Sequence, residues 1–434
     1  MYSVYTALLV LYALFRLPPM VYAAWRRGKR TGDVGQRFGR LPASVNPDGR
    51  PAIWIHAVSV GETLAARPLA RAFRCAYPSH RLILSTTTVT GQAVAQRFAG
   101  DGEVDAVIYA PFDLPGAVTR ALDRIAPALL VLIDTELWPT LLRACRRRGV
   151  RTLVANGRIS DRSYRRYRRV RGFMRHVLAD VDRICAQTDD WRGRFIDIGA
   201  DPQRVTVTGN LKFDAAGAPA NRADAPGGAG DPLLATFAFA RDRPVVMAAS
   251  TLAGEEEPVL RAFAAIRETS PDALLIVAPR HPERFDDAHA LAEQAGFAVA
   301  RRSGLATGAD PGTSVIVLDT MGELPRLFPT ASVVFVGGSL VPAGGHNVLE
   351  PAAAGRAIVV GPHMENFPQV ARQLLAAGGL LQARDAAELA AMLAELVRDD
   401  ARRETLGAAA RQVVEANRGA TDRTLAAAAE LLAC

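Results

Sequence analysis

Short apolar runs recur along the first half of the chain at residues 52–55, 82–85, 104–108, 129–133, 152–155, 183–186 and 205–208. Between them the apolar positions repeat at helical spacing. Runs of this length alternating with helical segments predict βαβ units and a parallel sheet. Residues 215–232 break the rhythm: they are rich in Gly, Pro and Ala and low in large apolar side chains, the composition of a linker. The rhythm restarts at 245–249, 274–278, 315–318, 333–336 and 358–360, and the Ala-rich stretch 386–432 predicts two or more helices. With 434 residues the chain is too long for one ordinary core. The pattern therefore predicts two Rossmann-like α/β domains facing across a cleft, over 31–214 and 241–434, joined by a linker at 215–240.

The first thirty residues follow a different pattern. Residues 4–15 are almost wholly apolar, Arg16 and Pro18-Pro19 interrupt them, Met20 to Trp25 resumes, and Arg26-Arg27-Gly28-Lys29-Arg30 follows. A spanning helix needs about 20 apolar residues, so this segment is either a marginal span or a helix lying in the interface. Its basic residues follow the apolar run instead of preceding it, which argues against a cleavable signal and keeps residues 26 onward on the cytoplasmic side. Residues 1–30 are expected to be an anchor in the inner membrane.

Charge sharpens this picture. Residues 1–215 carry 33 Lys and Arg against 18 Asp and Glu, whereas 216–434 carry 19 against 26. The basic half calls for an anionic partner. Eight arginines lie between Arg158 and Arg175, interleaved with Tyr164, Tyr167, Phe173 and Met174. RNA would suit such a stretch, but with the apolar N-terminus it points to anionic lipid. The cysteines (Cys75, Cys145, Cys185 and Cys434) lack CxxC spacing, so unpaired core thiols in a reducing compartment are expected, without structural zinc. Lys29 and Lys212 are the chain's two lysines.

Candidate chemistry gathers where strands are predicted to end. His56-Ala57-Val58-Ser59-Val60-Gly61-Glu62 follows the first run, with Gly61 expected to turn the backbone and Glu62 placed as a helix-dipole partner or a general base. Thr135-Glu136-Leu137-Trp138-Pro139 follows the fourth run, and Gly209-Asn210-Leu211-Lys212-Phe213-Asp214 closes the half. In the second half, Pro279-Arg280 suits a bidentate grip on phosphate, Met321-Gly322-Glu323 ends another strand, and Gly344-Gly345-His346-Asn347 opens a helix whose amides suit an anion. Glu350 stands three residues beyond Asn347, placed to accept ribose hydroxyls. No GxGxxG follows the first strand, which argues against a nicotinamide enzyme.

These motifs, in order, resemble the bacterial 3-deoxy-D-manno-octulosonic acid (Kdo) transferases: HAVSVGE at 56–62, STTTVTG at 85–91, DTELWP at 134–139, NGRIS at 156–160, VTGNLKFD at 207–214, PRHPERF at 279–285, DTMGEL at 319–324 and FVGGSLVPAGGHNVLEPAAAG at 335–355. The resemblance implies an inverting glycosyltransferase of GT-B architecture that moves Kdo from CMP-Kdo to the tetraacyl lipid A precursor. It implies Glu62 as the base, and Glu136 and Lys212 as stabilisers of the transition state. CMP would lie against Pro279, Arg280, Met321, Gly322, Glu323, Asn347, Val348, Leu349 and Glu350. Lys212 would neutralise the donor carboxylate or position a lipid phosphate. No cofactor, metal or nucleic acid is expected. Asp134 and Gly157 depart from the family's usual Glu and Ala. The nearest rival is a transferase for another nucleotide sugar, and a non-catalytic or RNA-associated α/β protein is more distant.

Overall fold

The computed structural model describes residues 2, 4–11, 33–217, 232–305 and 312–433. Most of the expected anchor and the middle of the expected linker lie outside the described residues.

Two units divide the chain: residues 1–215 with 418–434, and residues 216–417. The first is built on seven parallel strands, β1 (Ala52–His56), β2 (Arg81–Thr86), β3 (Ala106–Tyr109), β4 (Pro127–Ile133), β5 (Arg151–Gly157), β6 (Arg183–Ala186) and β7 (Val205–Val207). Their order is β3-β2-β1-β4-β5-β6-β7. Alternate residues of β1 feed opposite cores, Trp54 joining one and Ile53 with Ile55 the other. A sheet covered on both faces explains why its strands read as continuous apolar runs. The second unit repeats the plan with β8 (Val245–Thr251), β9 (Leu274–Pro279), β10 (Val299–Arg301), β11 (Val315–Val317), β12 (Val333–Val336), β13 (Ala357–Val360) and β14 (Leu381–Gln382), in the order β10-β11-β9-β8-β12-β13-β14. Every strand anticipated from the pattern is present. The outer strands β10 (Val-Ala-Arg) and β14 (Leu-Gln) were not anticipated: each ends on a polar residue and carries a single large apolar side chain.

In each sheet the chain order reverses beside the first strand, between β1 and β4 and between β8 and β12. Open α/β sheets bind ligands beyond the carboxyl ends of the strands at such reversals. Both sheets are irregular close by. The β5–β6 register shifts between Val154 and Gly157, and the β8–β9 register between Ala249 and Thr251. Asn156 and Ser250, at those shifts, have left-handed backbones with φ 60 and 57. Bulges of this kind re-aim side chains next to sites.

The end of the chain differs from expectation. The helix Ala420–Leu432 belongs to the first unit, with Ala420, Ala427 and Ala428 buried in its core beside Ile53 and Val131. Asp214 holds its start, accepting from the amides of Gly419 at 2.8 Å and Thr421 at 2.6 Å. Arg423 donates to the Thr208 carbonyl, and Arg183 pairs with Glu430. Among the described residues no helix is long and apolar enough to cross a membrane. Cys145 and Cys185 are free and buried as expected, but Cys75 is free on the surface.

Candidate active site

Glu62 lies in the first turn of the helix Val60–Ala76, immediately beyond β1. Ser59 caps that helix, its hydroxyl accepting from the Glu62 amide at 3.5 Å and donating to Glu62 Oε1 at 3.1 Å, while the Val58 amide donates to Oε2 at 2.6 Å. This is a capping box, with the carboxylate reaching one residue further back than usual. Gly61 does not make the turn: its φ is not positive, and a Cβ there would meet only open space. The cap occupies two of the roughly four lone-pair sites of an ionised carboxylate. Burial raises the Glu62 carboxyl above its ordinary range; the Val58 bond opposes this, and the charges of Asp134 and Glu136 add to it. Glu62 is thus both a helix cap and a carboxylate of heightened basicity.

Glu136 arrives from the loop after β4. Its Oε2 accepts from the Trp138 indole at 2.9 Å, and Trp138 packs edge-on against His56 at 4.9 Å. His56 Nδ1 in turn meets Ser85 Oγ at 2.9 Å, which also accepts from the Trp54 indole at 2.8 Å. Burial drives His56 down to about 4, so it is a neutral core residue at physiological pH. Burial raises Glu136, against the pull of Trp138. Trp138 therefore orients Glu136 as well as packing the start of the helix Pro139–Arg147.

Lys212 stands at the second residue of the helix Leu211–Gly217. Burial lowers its ammonium below the usual lysine range, Arg158 lowers it further, and Asp134 and Glu62 oppose both. Glu62 is within electrostatic reach of Glu136 and of Lys212, and Asp134 is within reach of all three. Asp134 and Asn156 were not anticipated as site residues. The Asn156-Gly157 pair at a strand end was the available signal, since that dipeptide marks a left-handed turn.

In the second unit, Arg280 follows β9 and is exposed, with its amide donating to the Thr251 carbonyl at 2.9 Å. Its charge reaches both Glu350 and His346. Glu350 Oε1 accepts from Asn347 Nδ2 at 3.0 Å, and burial raises its carboxyl against the pull of Asn347 and Arg280. Arg280, Asn347 and Glu350 therefore converge. The expected helix start is less open than the sequence implied. The helix Leu349–Ala353 has five residues, and Asn347 Oδ1 already accepts from the Leu349 amide at 3.0 Å. Pro279, Val348 and Leu349 are buried. Beyond β11, Met321 is 53% exposed, Gly322 has φ 88, and Glu323 pairs with Arg302 at 3.0 Å.

Two further residues shape this end of the sheet. Glu255 is fully buried and accepts from five amides: Leu252 and Gly338 on Oε2, and Ser339, Leu340 and Val341 on Oε1, at 2.7–3.4 Å. The anion nest at the sheet reversal is thus filled by the protein's own carboxylate. His346 packs on Gly338, where a Cβ would come within 2.8 Å of the imidazole. Burial, with Arg280 and His281, lowers His346 to about 4.

Sequence comparison accounts for both units. The family model described as 3-deoxy-D-manno-octulosonic-acid transferase (kdotransferase) matches residues 32–215, and that of glycosyl transferases group 1 matches residues 242–413. The 3-deoxy-D-manno-octulosonic acid transferase of Bordetella pertussis is 39% identical over 429 residues, covering 95% of this chain and 96% of that protein. The chain belongs to this transferase family. It is an enzyme, a glycosyltransferase. The Haemophilus influenzae transferase of the same name is 35% identical over 400 residues, covering 90% of each chain. A solved UDP-GlcNAc 2-epimerase from Neisseria meningitidis, bound to UDP-GlcNAc, shares the fold at TM-score 0.61 and 12% identity, covering 87% of this chain and 100% of that one. At that identity the likeness concerns the fold alone.

Proposed function

We propose that this enzyme transfers Kdo from CMP-Kdo to the tetraacyl-disaccharide precursor of lipid A in lipopolysaccharide synthesis, with inversion at the anomeric carbon. The observation that carries the chemistry is the placement of Glu62 at the reversal of the first sheet, beside Glu136 and Lys212. Glu62 removes the proton of the acceptor hydroxyl as its oxygen attacks the anomeric carbon. The bond from that carbon to the phosphate oxygen breaks, and its electron pair leaves with CMP. A carboxylate with a raised proton affinity serves this step better than an ordinary surface glutamate. Lys212 and Glu136 stabilise the charge that develops as the donor carbon becomes oxocarbenium-like. The first domain, residues 31–214, takes the acceptor. The second, from residue 241, takes the CMP sugar, with Arg280 on the phosphate and Glu350 on the ribose. This scheme uses no metal and no cofactor: the cations it needs are Arg280 and Lys212.

The acceptor's anionic lipid nature fits the first domain's surface. The helix Asp161–Arg169 buries none of its residues, and Asp161, Arg162, Arg165, Arg166 and Arg169 line an open cavity of about 390 Å³. Beside it, helical residues 4–11 present Val4, Leu8 and Leu11, 62%, 63% and 51% exposed, at the spacing of one helix face. An apolar stripe next to a basic helix suits the anionic cytoplasmic leaflet of the inner membrane. Co-sedimentation of the full chain with anionic vesicles, reduced in Leu8→Asp and in Arg162→Gln/Arg165→Gln/Arg166→Gln, is the expected result. Equal binding to neutral vesicles would overturn this localisation.

The decisive experiment incubates purified protein with freshly made CMP-Kdo and the tetraacyl precursor and reads products by mass spectrometry and NMR. A Kdo mass increment with the opposite anomeric configuration to the donor, absent in Glu62→Gln, is expected. A product from Glu62→Gln at wild-type rate removes Glu62 as the base. Retained configuration removes the single-displacement scheme.

A further inference from the structure

Asp134 follows β4 and Asn156 lies in the neighbouring β5, and they are 5% and 0% exposed. Both hold left-handed backbones, φ 62 and 60. Such conformations cost on the order of 1–3 kcal/mol for residues other than glycine and persist where the surroundings over-determine them. The surroundings here are specific. Asn156 Nδ2 donates to Asp134 Oδ1 at 2.6 Å, and Arg158 Nε donates to Oδ2 at 2.8 Å. Asn156 Oδ1 accepts from the Leu211 amide at 3.0 Å, and Gln187 Nε2 donates to the Asn156 carbonyl at 2.9 Å. Asp134 is therefore tied, through one side chain, to the backbone residue immediately before Lys212.

We propose that Asp134 is a positioning residue of the first-domain site: through Asn156 it fixes the backbone that carries Lys212, and its buried charge couples Glu62 to Lys212. The inference deepens the reading of Glu62 as base and Lys212 as stabilising cation and rests on it.

The coupling has a sign. Asp134 acts on Glu62 as a like charge and on Lys212 as an opposite one, so it raises the proton affinity of both. The other groups facing Glu62 are Glu136, which raises it, and the Val58 amide and Ser59 hydroxyl, which lower it. Lys212 also faces Arg158, which lowers it, and Glu62, which raises it. Asp134→Asn keeps the shape and removes the charge, so both groups release protons at lower pH. The whole bell of kcat/KM against pH then moves toward acid. Loss of packing alone would lower the bell without moving its limbs. Arg158→Gln acts oppositely on Lys212 and moves the alkaline limb upward alone.

The test uses full-length protein in detergent. Because Lys29 and Lys212 are the two lysines, ¹³Cε-lysine labelling gives two signals, and Lys29→Arg assigns them. The Lys212 signal is expected to titrate lower than wild type in Asp134→Asn and higher in Arg158→Gln, with both limbs of the rate profile displaced in the former. An unmoved Lys212 titration in both variants overturns the proposal. The NMR titration does not depend on turnover. Glu62→Gln retaining activity would therefore defeat the base assignment while a displaced Lys212 signal still upheld the coupling.

Discussion

A glutamine can accept the same amide bond as a glutamate but cannot take a proton, and at position 62 this separates two roles that share one side chain. Glu62→Gln should preserve the cap from Ser59 and Val58, leaving thermal stability nearly unchanged, while turnover falls by at least about 10²-fold; parallel melting curves and single-turnover rates check both halves. The neighbouring glutamates of the second domain show how position decides role. Glu255, Glu256 and Glu257 are consecutive and chemically identical. Glu255 fills the nest of five amides, Glu256 is buried against Arg284 at 3.1 Å, and Glu257 makes an exposed ion pair with Arg261. Glu255→Ala leaves buried amides without an acceptor and should destabilise the second domain by at least about 3 kcal/mol. Glu257→Ala should leave the urea midpoint unchanged, since exposed i,i+4 pairs contribute little.

At the scale of elements, the helix Pro139–Arg147 and the N-terminal helical residues meet at one carboxylate. Asp113 accepts from the amides of Thr140 at 3.0 Å and Leu141 at 2.8 Å and from the Tyr5 hydroxyl at 2.9 Å. Tyr2 makes the companion contact, its hydroxyl donating to Asp180 Oδ2 at 2.5 Å, and both tyrosine rings pack on Phe173. Tyr5→Phe with Tyr2→Phe should release residues 4–11, seen as faster amide exchange there with the sheet unaffected. Burial raises Asp113 from 3.8 to about 6. Between those values the native protein holds a proton that the unfolded chain has released. Stability from this group is therefore fully present below about pH 4 and is lost as pH rises through about 6. Asp113→Asn should flatten that slope in urea midpoints taken from pH 4 to pH 7.

At the scale of the whole molecule, the chain leaves the first unit near residue 215, builds the second, and returns with its last helix. Ending the chain at residue 417 should expose the face of the first domain that Ala420, Ala427 and Ala428 cover. The urea midpoint of the first domain should fall while that of the second stays in place. Asp214→Ala, which removes the acceptor for the Gly419 and Thr421 amides, should reproduce part of the loss, about 1 kcal/mol. An unchanged first-domain midpoint in the truncated chain would show that the helix is only an appendage.

The sequence by itself determined the two α/β halves, twelve of the fourteen strands and the family. Fully buried parallel strands must be apolar throughout, and the motifs lie at their carboxyl ends. It also singled out Glu62, Glu136, Lys212, Arg280, Asn347 and Glu350, because strand ends followed by polar residues are local signals. What folding alone decided is non-local. Whether Ala420–Leu432 packs on the first or second sheet depends on surfaces more than 200 residues away, not on its own alanines. Asp134 and Asn156 become a clamp only when β4 and β5 lie side by side, and Glu255 becomes a buried anion only when the loop after β12 closes around it. A residue's chemistry is written in its side chain, but its proton affinity and partners are set by charges and amides that the fold brings in from other strands.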